Sequence, residues 1–167
     1  MGALVEHAKV WGAMKHVGQT RKYTGEPYFT HCEAVYEFVR EAGLSETARV
    51  AALLHDTVED TDVTIEEIEE IFGTEVAGYI WYLTKPPFYV GNRYKRKELD
   101  RNRLSLAPEE VRSIKFFDLY HNAFSIKEHD QSLYIIWRNE AKLLLEAMKA
   151  KELPCLKEEH LDFIDTI

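Results

Sequence analysis

The recurrence of apolar residues at intervals of three and four is the feature that most restricts the fold of this chain. This spacing places side chains on one face of an α-helix, whereas the strict alternation typical of a half-buried strand is nearly absent. The clearest examples come before Gly43 and before Pro86 and Pro87, and they are Ala34, Val35, Phe38 and Val39, then Val76, Tyr79, Ile80 and Leu83. The sequence therefore predicts an all-α protein.

Local signals indicate where individual helices begin and end. The segment TIEE at 64–67 is a capping box, in which the hydroxyl of Thr64 accepts from the amide three residues later. It predicts a short helix that ends at Gly73, and Thr74 is expected to cap the next helix.

At 167 residues the chain is long enough for one well-buried core and short for two, so we expect a single domain over residues 1–167. Pro108 predicts the first turn of a helix that runs to about 121, and an apolar stripe predicts a C-terminal helix over about 130–150. The short polar tail after Pro154 is expected to be loosely ordered.

The N-terminal segment has charged and histidine residues every few positions, unlike a secretory signal. No stretch approaches the roughly 18 to 20 apolar residues of a membrane span. The two cysteines, Cys32 and Cys155, are far apart and form no CxxC pair, which fits a reducing compartment. These features predict a cytoplasmic protein with no membrane partner.

The formal net charge of −8 argues against duplex nucleic acid as a partner, because phosphate binding depends on lysine and arginine. The segment 93–103 differs, since it holds six basic residues and two acidic ones. It could bind a small polyanion, or it could be a solvated helix in which Glu98 pairs with Lys95 or Arg101. The sequence leaves a homo-oligomer open.

Residues 52–60, ALLHDTVED, begin as an apolar run and end in ionisable side chains. If this segment ends a helix that starts near Ser45, four ionisable residues share one sector of that helix: His55, Asp56, Glu59 and Asp60. Uncompensated carboxylates there would repel one another, and a divalent cation bound by imidazole and carboxylate would remove the repulsion. The alternative is a solvated helix end whose acidic residues face water.

Two further residues extend this cluster. His31 follows Pro27 at the predicted start of a helix, and Asp118 is the carboxylate within an otherwise apolar helical run. A carboxylate is seldom buried without a partner. Asp118 is therefore expected either to pair with an arginine or lysine or to face a metal ion.

Four segments within residues 16–122 resemble, in the same order, those of a known family: TRKYTGEPYFTH, ALLHDTVEDTDVTIEEIEEIFGTEV, YLTK and IKFFDLYHN. The chain is similar to the HD-domain metal-dependent phosphohydrolases. Within them it resembles the hydrolase domain of the RelA/SpoT homologue family, which removes the 3′-pyrophosphate from ppGpp and pppGpp. The resemblance implies a single HD-domain helical bundle and a stand-alone small hydrolase with a nucleotide substrate.

The resemblance also implies roles for individual residues. The implied metal ligands are His31, His55, Asp56 and Asp118. The implied catalytic carboxylates are Glu59 and Asp60. The implied substrate contacts are Arg21, Lys22, Lys85 and Asn122. Two imidazoles and two carboxylates suit a six-coordinate ion, so Mn²⁺ is predicted, with Fe²⁺, Co²⁺, Ni²⁺ and Zn²⁺ as alternatives.

The chain departs from the family pattern at two positions that bear on the nucleotide. Cys32 replaces the usual proline after the first ligand, and KFFD at 115–118 replaces the common Lys-Leu-Ala-Asp. Two other functions remain open: an HD-type nucleotidase or triphosphohydrolase acting on (deoxy)nucleotides, and a helical binding module that uses a metal only for folding. Glu59 and Asp60 favour catalysis, because a structural site would not need two further carboxylates.

Overall fold

The computed structural model describes residues 2–167. These residues form ten α-helices and two short 3₁₀ helices, with no strand beyond an isolated antiparallel bridge between Thr20 and Pro27. The predicted all-α class is confirmed. Among the same residues, no helix is both long and apolar enough to cross a membrane.

The chain divides into two compact units, of which the first ends at Thr84 and the second is Lys85–Ile167. The first contains α1 (Ala3–Lys15), α2 (Phe29–Glu41), α3 (Glu46–Leu54), α4 (Thr57–Asp60), α5 (Ile65–Phe72) and α6 (Thr74–Leu83). The second contains α7 (Arg93–Ser105), α8 (Glu109–His129), α9 (Gln131–Ala147) and α10 (Glu158–Thr166), with 3₁₀ helices at Phe88–Val90 and Ala150–Glu152. The expectation of a single domain over residues 1–167 stays a prediction.

Helix α3 is the centre of the first unit, where it packs against α1, α2 and α6. Its residues from Val50 to Leu54 are completely buried. The helix begins at the predicted place, because the Ser45 hydroxyl accepts a hydrogen bond from the Ala48 amide at 3.1 Å. The buried run holds the end of α3, and therefore His55, in a fixed position.

The prediction of one continuous helix through residues 45–60 is wrong. Helix α3 ends at Leu54, α4 begins at Thr57, and His55 and Asp56 occupy the turn between them. The His55 ring donates from Nδ1 to the carbonyl of Ala52 at 2.8 Å. A side chain that donates to a backbone carbonyl in this way competes with the backbone hydrogen bonds that would continue the helix. The two helices are therefore separate, although the Asp60 amide still donates to the Asp56 carbonyl at 2.9 Å in the first turn of α4.

The Thr64 cap of α5 is confirmed, whereas the Glu67 carboxylate, predicted to bond back in the capping box, accepts from Lys15 at 3.0 Å. The Thr64 hydroxyl accepts from the Glu67 amide at 3.2 Å, and the helix ends at Gly73, whose φ of 92° is favourable for glycine. The expected cap on α6 is wrong by one residue, since Gly73 holds the cap position. Thr74 is the first residue of α6, and its hydroxyl donates back to Glu69.

Helix α8 organises the second unit by packing against α7 and α9. It extends beyond the predicted end near 121 to His129, while α9 lies within the predicted 130–150.

The expected loose tail is wrong. Residues 158–166 form α10, because the ring of Phe163 packs 5.0 Å from that of Tyr120, and the ring of His160 lies 5.6 Å from Phe116.

Candidate functional site

Three predicted ligands come together in the first unit. His31, His55 and Asp56 are all buried, and one nitrogen or oxygen from each lies within 4.8 Å of the others. His31 lies in the first turn of α2, and the other two lie in the turn between α3 and α4. Because α2 and α3 pack against each other, this part of the predicted cluster is built on two supported elements.

The two imidazoles of the cluster face the same carboxylate oxygen. Asp56 Oδ2 lies 3.1 Å from His55 Nε2 and 3.6 Å from His31 Nε2. A backbone carbonyl can only accept, so the bond from His55 to Ala52 requires the hydrogen on Nδ1. His55 Nε2 is then the nitrogen directed at the carboxylate. In metal-binding histidines, the ring nitrogen that does not face the metal is typically hydrogen-bonded to another group, and this bond fixes the tautomer.

Tyr28 is a member of the site that the sequence did not identify. Its hydroxyl donates to Asp56 Oδ2 at 2.7 Å, and its ring lies edge-on to His31 at 6.1 Å between centroids. Burial, reinforced by the charge of Asp56, raises the pKa of Tyr28 far above its ordinary value. The available signal was its position three residues before His31, which places the two side chains near each other at the start of α2.

The segment before α2 also contacts the turn that carries the candidate ligands. Gln19 donates from its amide nitrogen to the Asp60 carbonyl at 2.7 Å. The amide oxygen of Gln19 lies 2.7 Å from His16 Nδ1, and the His16 ring stacks on Tyr28 with centroids 5.2 Å apart. Residues 16–28 therefore join the end of α1 to both ends of α4.

The predicted catalytic carboxylates lie on α4, directly after Asp56. Glu59 and Asp60 are exposed, and the Asp60 amide donates to the Asp56 carbonyl at 2.9 Å. This position allows both carboxylates to meet a solvent molecule or a substrate. Their catalytic roles stay predictions.

Two predicted substrate contacts lie in the segment between α1 and α2. The Arg21 guanidinium lies 5.9 Å from the centre of the Tyr28 ring, and Lys22 donates to the Tyr23 hydroxyl at 3.1 Å. Arg21 is half-buried and Lys22 is exposed. Both cations lie in the same segment as Tyr28, which contacts Asp56.

The remaining predicted ligand, Asp118, lies on α8 in the second unit. Its Oδ2 accepts from Lys115 Nζ at 2.8 Å, and its Oδ1 accepts from Asn122 Nδ2 at 2.7 Å. Of the two alternatives for this carboxylate, pairing with a lysine is confirmed. Asn122 was predicted to contact the nucleotide, and in the structure its side-chain amide donates to Asp118. The ligand role of Asp118 and the substrate role of Asn122 both stay predictions.

Lys115 was not identified from the sequence, although its position three residues before Asp118 is a helical pairing signal. The side chain is buried. Burial alone would lower its pKa, but the neighbouring Asp118 carboxylate raises the pKa of Lys115 above its ordinary value. The ammonium of Lys115 therefore stays charged beside Asp118.

The basic segment 93–103 lies within α7, and several of its cations pair with carboxylates. Lys95 pairs with Glu98 at 2.8 Å on the surface, as expected for a solvated helix. Lys97 is different, because burial lowers its pKa and the nearby charges of Lys115 and Lys85 lower it further, against the opposing effect of Glu140. Lys97 Nζ also lies 3.5 Å from a carboxylate oxygen of Glu140, which offsets its charge.

Comparison with known proteins agrees with the helical fold and with the buried histidine–aspartate cluster. A family model described as "HD domain" matches residues 8–85. A "GTP pyrophosphokinase" from Myxococcus xanthus is 36% identical over 71% of this chain, which covers 16% of that protein. A "Probable guanosine-3′,5′-bis(diphosphate) 3′-pyrophosphohydrolase" from Synechocystis is 37% identical over 62% of this chain, which covers 14% of that protein. The chain thus spans about a sixth of the length of these relatives.

A solved structure covers nearly the whole chain. It is described as "A metazoan ortholog of SpoT hydrolyzes ppGpp and plays a role in starvation responses", and it matches with a TM-score of 0.84 and 26% identity over 99% of this chain and 96% of that one. The all-helical fold and the buried histidine–aspartate cluster agree with the match of residues 8–85 to an HD domain. The chain also resembles the RelA/SpoT-type proteins.

Proposed function

We propose that this protein is a metal-dependent phosphohydrolase that removes the 3′-pyrophosphate of ppGpp, giving GDP and pyrophosphate. The observation that carries the proposal is the buried cluster of His31, His55 and Asp56. It lies in a fold that matches a ppGpp-hydrolysing protein over 99% of this chain. The M. xanthus relative is named for synthesis rather than hydrolysis, but the chain covers only 16% of it.

The donor set of the first unit suits a divalent cation. Two imidazole nitrogens and a carboxylate oxygen are ligands that Mn²⁺ and neighbouring transition metals accept. We propose Mn²⁺ held by His31, His55 and Asp56, and Asp118 stays the predicted fourth ligand. When bound, such an ion would supply Lewis-acid assistance and offset charge on the phosphate.

The reaction requires a proton acceptor near the attacking water. A water oxygen forms a bond to the phosphorus attached to the 3′-oxygen, and the bond between that phosphorus and the 3′-oxygen breaks. The leaving 3′-oxygen takes up a proton from solvent and becomes the 3′-hydroxyl of GDP, while the phosphorus leaves as pyrophosphate. We assign the proton of the water to a carboxylate oxygen of Glu59, which is exposed on α4 after Asp56. Asp60 would assist by orienting the water, and its position is supported by the backbone contacts to Asp56 and Gln19.

The substrate carries several phosphate charges and must approach a protein of net charge −8. In the proposal, Arg21 and Lys22 contact the base and phosphates, and Lys85 and Asn122 stay predicted contacts to the nucleotide. A nucleotide substrate, no duplex nucleic acid and a cytoplasmic location belong to the same proposal.

One assay tests the function directly. The purified metal-free protein is supplied with Mn²⁺ and offered ppGpp and a panel of ribo- and deoxynucleotides, and pyrophosphate and inorganic phosphate are measured separately. We expect pyrophosphate from ppGpp and no activity after chelation. Release of inorganic phosphate from deoxynucleotides with ppGpp untouched would instead indicate an HD-type nucleotidase. Binding without turnover of any nucleotide would indicate a non-enzymatic module.

A further inference from the structure

The Tyr28 hydroxyl makes a short hydrogen bond to the Asp56 carboxylate. The Tyr28 hydroxyl lies 2.7 Å from Asp56 Oδ2, the same oxygen that the two imidazoles approach. A carboxylate side chain can rotate about its last bond, so without a fixed donor its oxygens would exchange places. The two oxygens are chemically equivalent, so the hydrogen bond from Tyr28 acts by restricting this rotation and fixing the plane of the carboxylate that faces His31 and His55.

The Tyr28 ring is held in place by several contacts around it. Its backbone amide donates to the Gln19 carbonyl at 2.9 Å, and His16 stacks against one face at 5.2 Å between centroids. His16 is itself buried and is held by Gln19, whose amide also bonds the Asp60 carbonyl. A donor fixed in this way can orient an acceptor at little further loss of conformational entropy.

We propose that Tyr28 is a positioning residue that orients the Asp56 carboxylate for metal binding. The inference rests on the proposed function, because it takes Asp56 as a metal ligand. Outer hydrogen-bond partners orient metal ligands, and removing one typically lowers metal affinity or activity on the order of 10- to 100-fold. The tyrosine acts through Asp56.

The test compares single hydroxyl deletions in the metal-free protein. Tyr28→Phe removes the hydroxyl but keeps the ring that packs on His16. Tyr79→Phe is the matched control, since Tyr79 is a half-buried tyrosine on α6 of the same unit. Gln19→Met removes the hydrogen bonds to His16 and Asp60 but leaves the Tyr28 hydroxyl intact. Circular dichroism establishes that each variant is folded before Mn²⁺ binding is measured by isothermal titration calorimetry.

We expect the Kd for Mn²⁺ to rise on the order of 10- to 100-fold in Tyr28→Phe. The Kd should be unchanged in Tyr79→Phe and should rise less in Gln19→Met than in Tyr28→Phe. Pyrophosphate release by Tyr28→Phe should be low at limiting Mn²⁺ and should recover towards the wild-type kcat at saturating Mn²⁺. A purely structural role would not produce this recovery with metal.

Two results would overturn the inference. One is an unchanged Kd for Mn²⁺ in Tyr28→Phe, and the other is an equal or larger rise in Gln19→Met, which would assign the effect to the segment rather than to the hydroxyl. Either result leaves the proposed function standing if the wild-type protein still hydrolyses ppGpp. Conversely, weakened Mn²⁺ binding in a protein that ignores ppGpp would support the role of Tyr28 and reject the proposed substrate.

Discussion

Asp56 and Asp118 are both buried aspartates, but the groups around them differ in charge. Asp56 accepts from the neutral hydroxyl of Tyr28 and faces two imidazoles, which are charged only when protonated. Asp118 accepts from the ammonium of Lys115 and the amide of Asn122. A buried carboxylate needs a compensating charge. For Asp118 this charge is the ammonium of Lys115 in the same unit. The imidazoles next to Asp56 are instead groups that can bind a cation from solution together with the carboxylate.

The difference teaches that burial alone does not show how the charge of a carboxylate is compensated. What distinguishes the two aspartates is the type of donor each one meets. The following predictions test that distinction, beginning with the largest expected effect.

Replacing Asp56 should remove activity with little effect on folding. Asp56→Asn keeps the shape of the side chain and an oxygen for the Tyr28 hydroxyl, but it loses the negative charge. We expect pyrophosphate release from ppGpp to fall on the order of 10³-fold, which is about 4 kcal/mol of transition-state stabilisation. Activity within tenfold of wild type would show that this carboxylate is not part of the reacting centre.

Breaking the Asp118 pair should instead affect stability. Lys115→Met leaves a buried carboxylate without its cation and should lower the free energy of unfolding by about 3 kcal/mol, measured by urea denaturation of the metal-free protein. Lys95→Met is the matched control, because Lys95 and Glu98 have the same sequence spacing and the same 2.8 Å distance but lie on the surface. We expect little change there, and equal effects in the two variants would contradict the comparison.

Glu59 should matter for turnover and not for metal binding. We expect Glu59→Gln to lower kcat on the order of 10²-fold, as for loss of a general base, with an unchanged Kd for Mn²⁺. Glu70→Gln, on the exposed side of α5, is the control for loss of a surface carboxylate. A fall in metal affinity would instead make Glu59 a ligand and would extend the cluster beyond His31, His55 and Asp56.

The smallest effect concerns a buried imidazole outside the candidate site. Burial lowers the pKa of His160, which packs on α8 against Phe116 and Phe117. The unfolded chain therefore binds the proton more readily, so the stability that His160 contributes is complete above its ordinary pKa of about 6.5 and declines as the pH falls below it. The thermal midpoint should fall less between pH 7.5 and 5.5 in His160→Leu than in wild type. His129→Gln, at an exposed position, should keep the wild-type slope.

Several features were predictable because they depend on neighbours along the chain. The caps at Ser45 and Thr64 and the end of α5 at Gly73 are local events of three or four residues. The all-α class follows from the same short-range periodicity. The loose tail was mispredicted because α10 is held by ring contacts with Phe116 and Tyr120, which lie about forty residues away in the chain.

The sequence by itself determined the helical class and the residue types of the candidate site, because periodicity, caps and motif spacing are properties of the chain alone. Only the tertiary structure decided that the helix breaks at His55 and Asp56, and that Tyr28 bonds to Asp56. A hydrogen bond between residues 28 positions apart depends on how α2 and α3 pack, and packing is settled by the whole buried core rather than by any short segment.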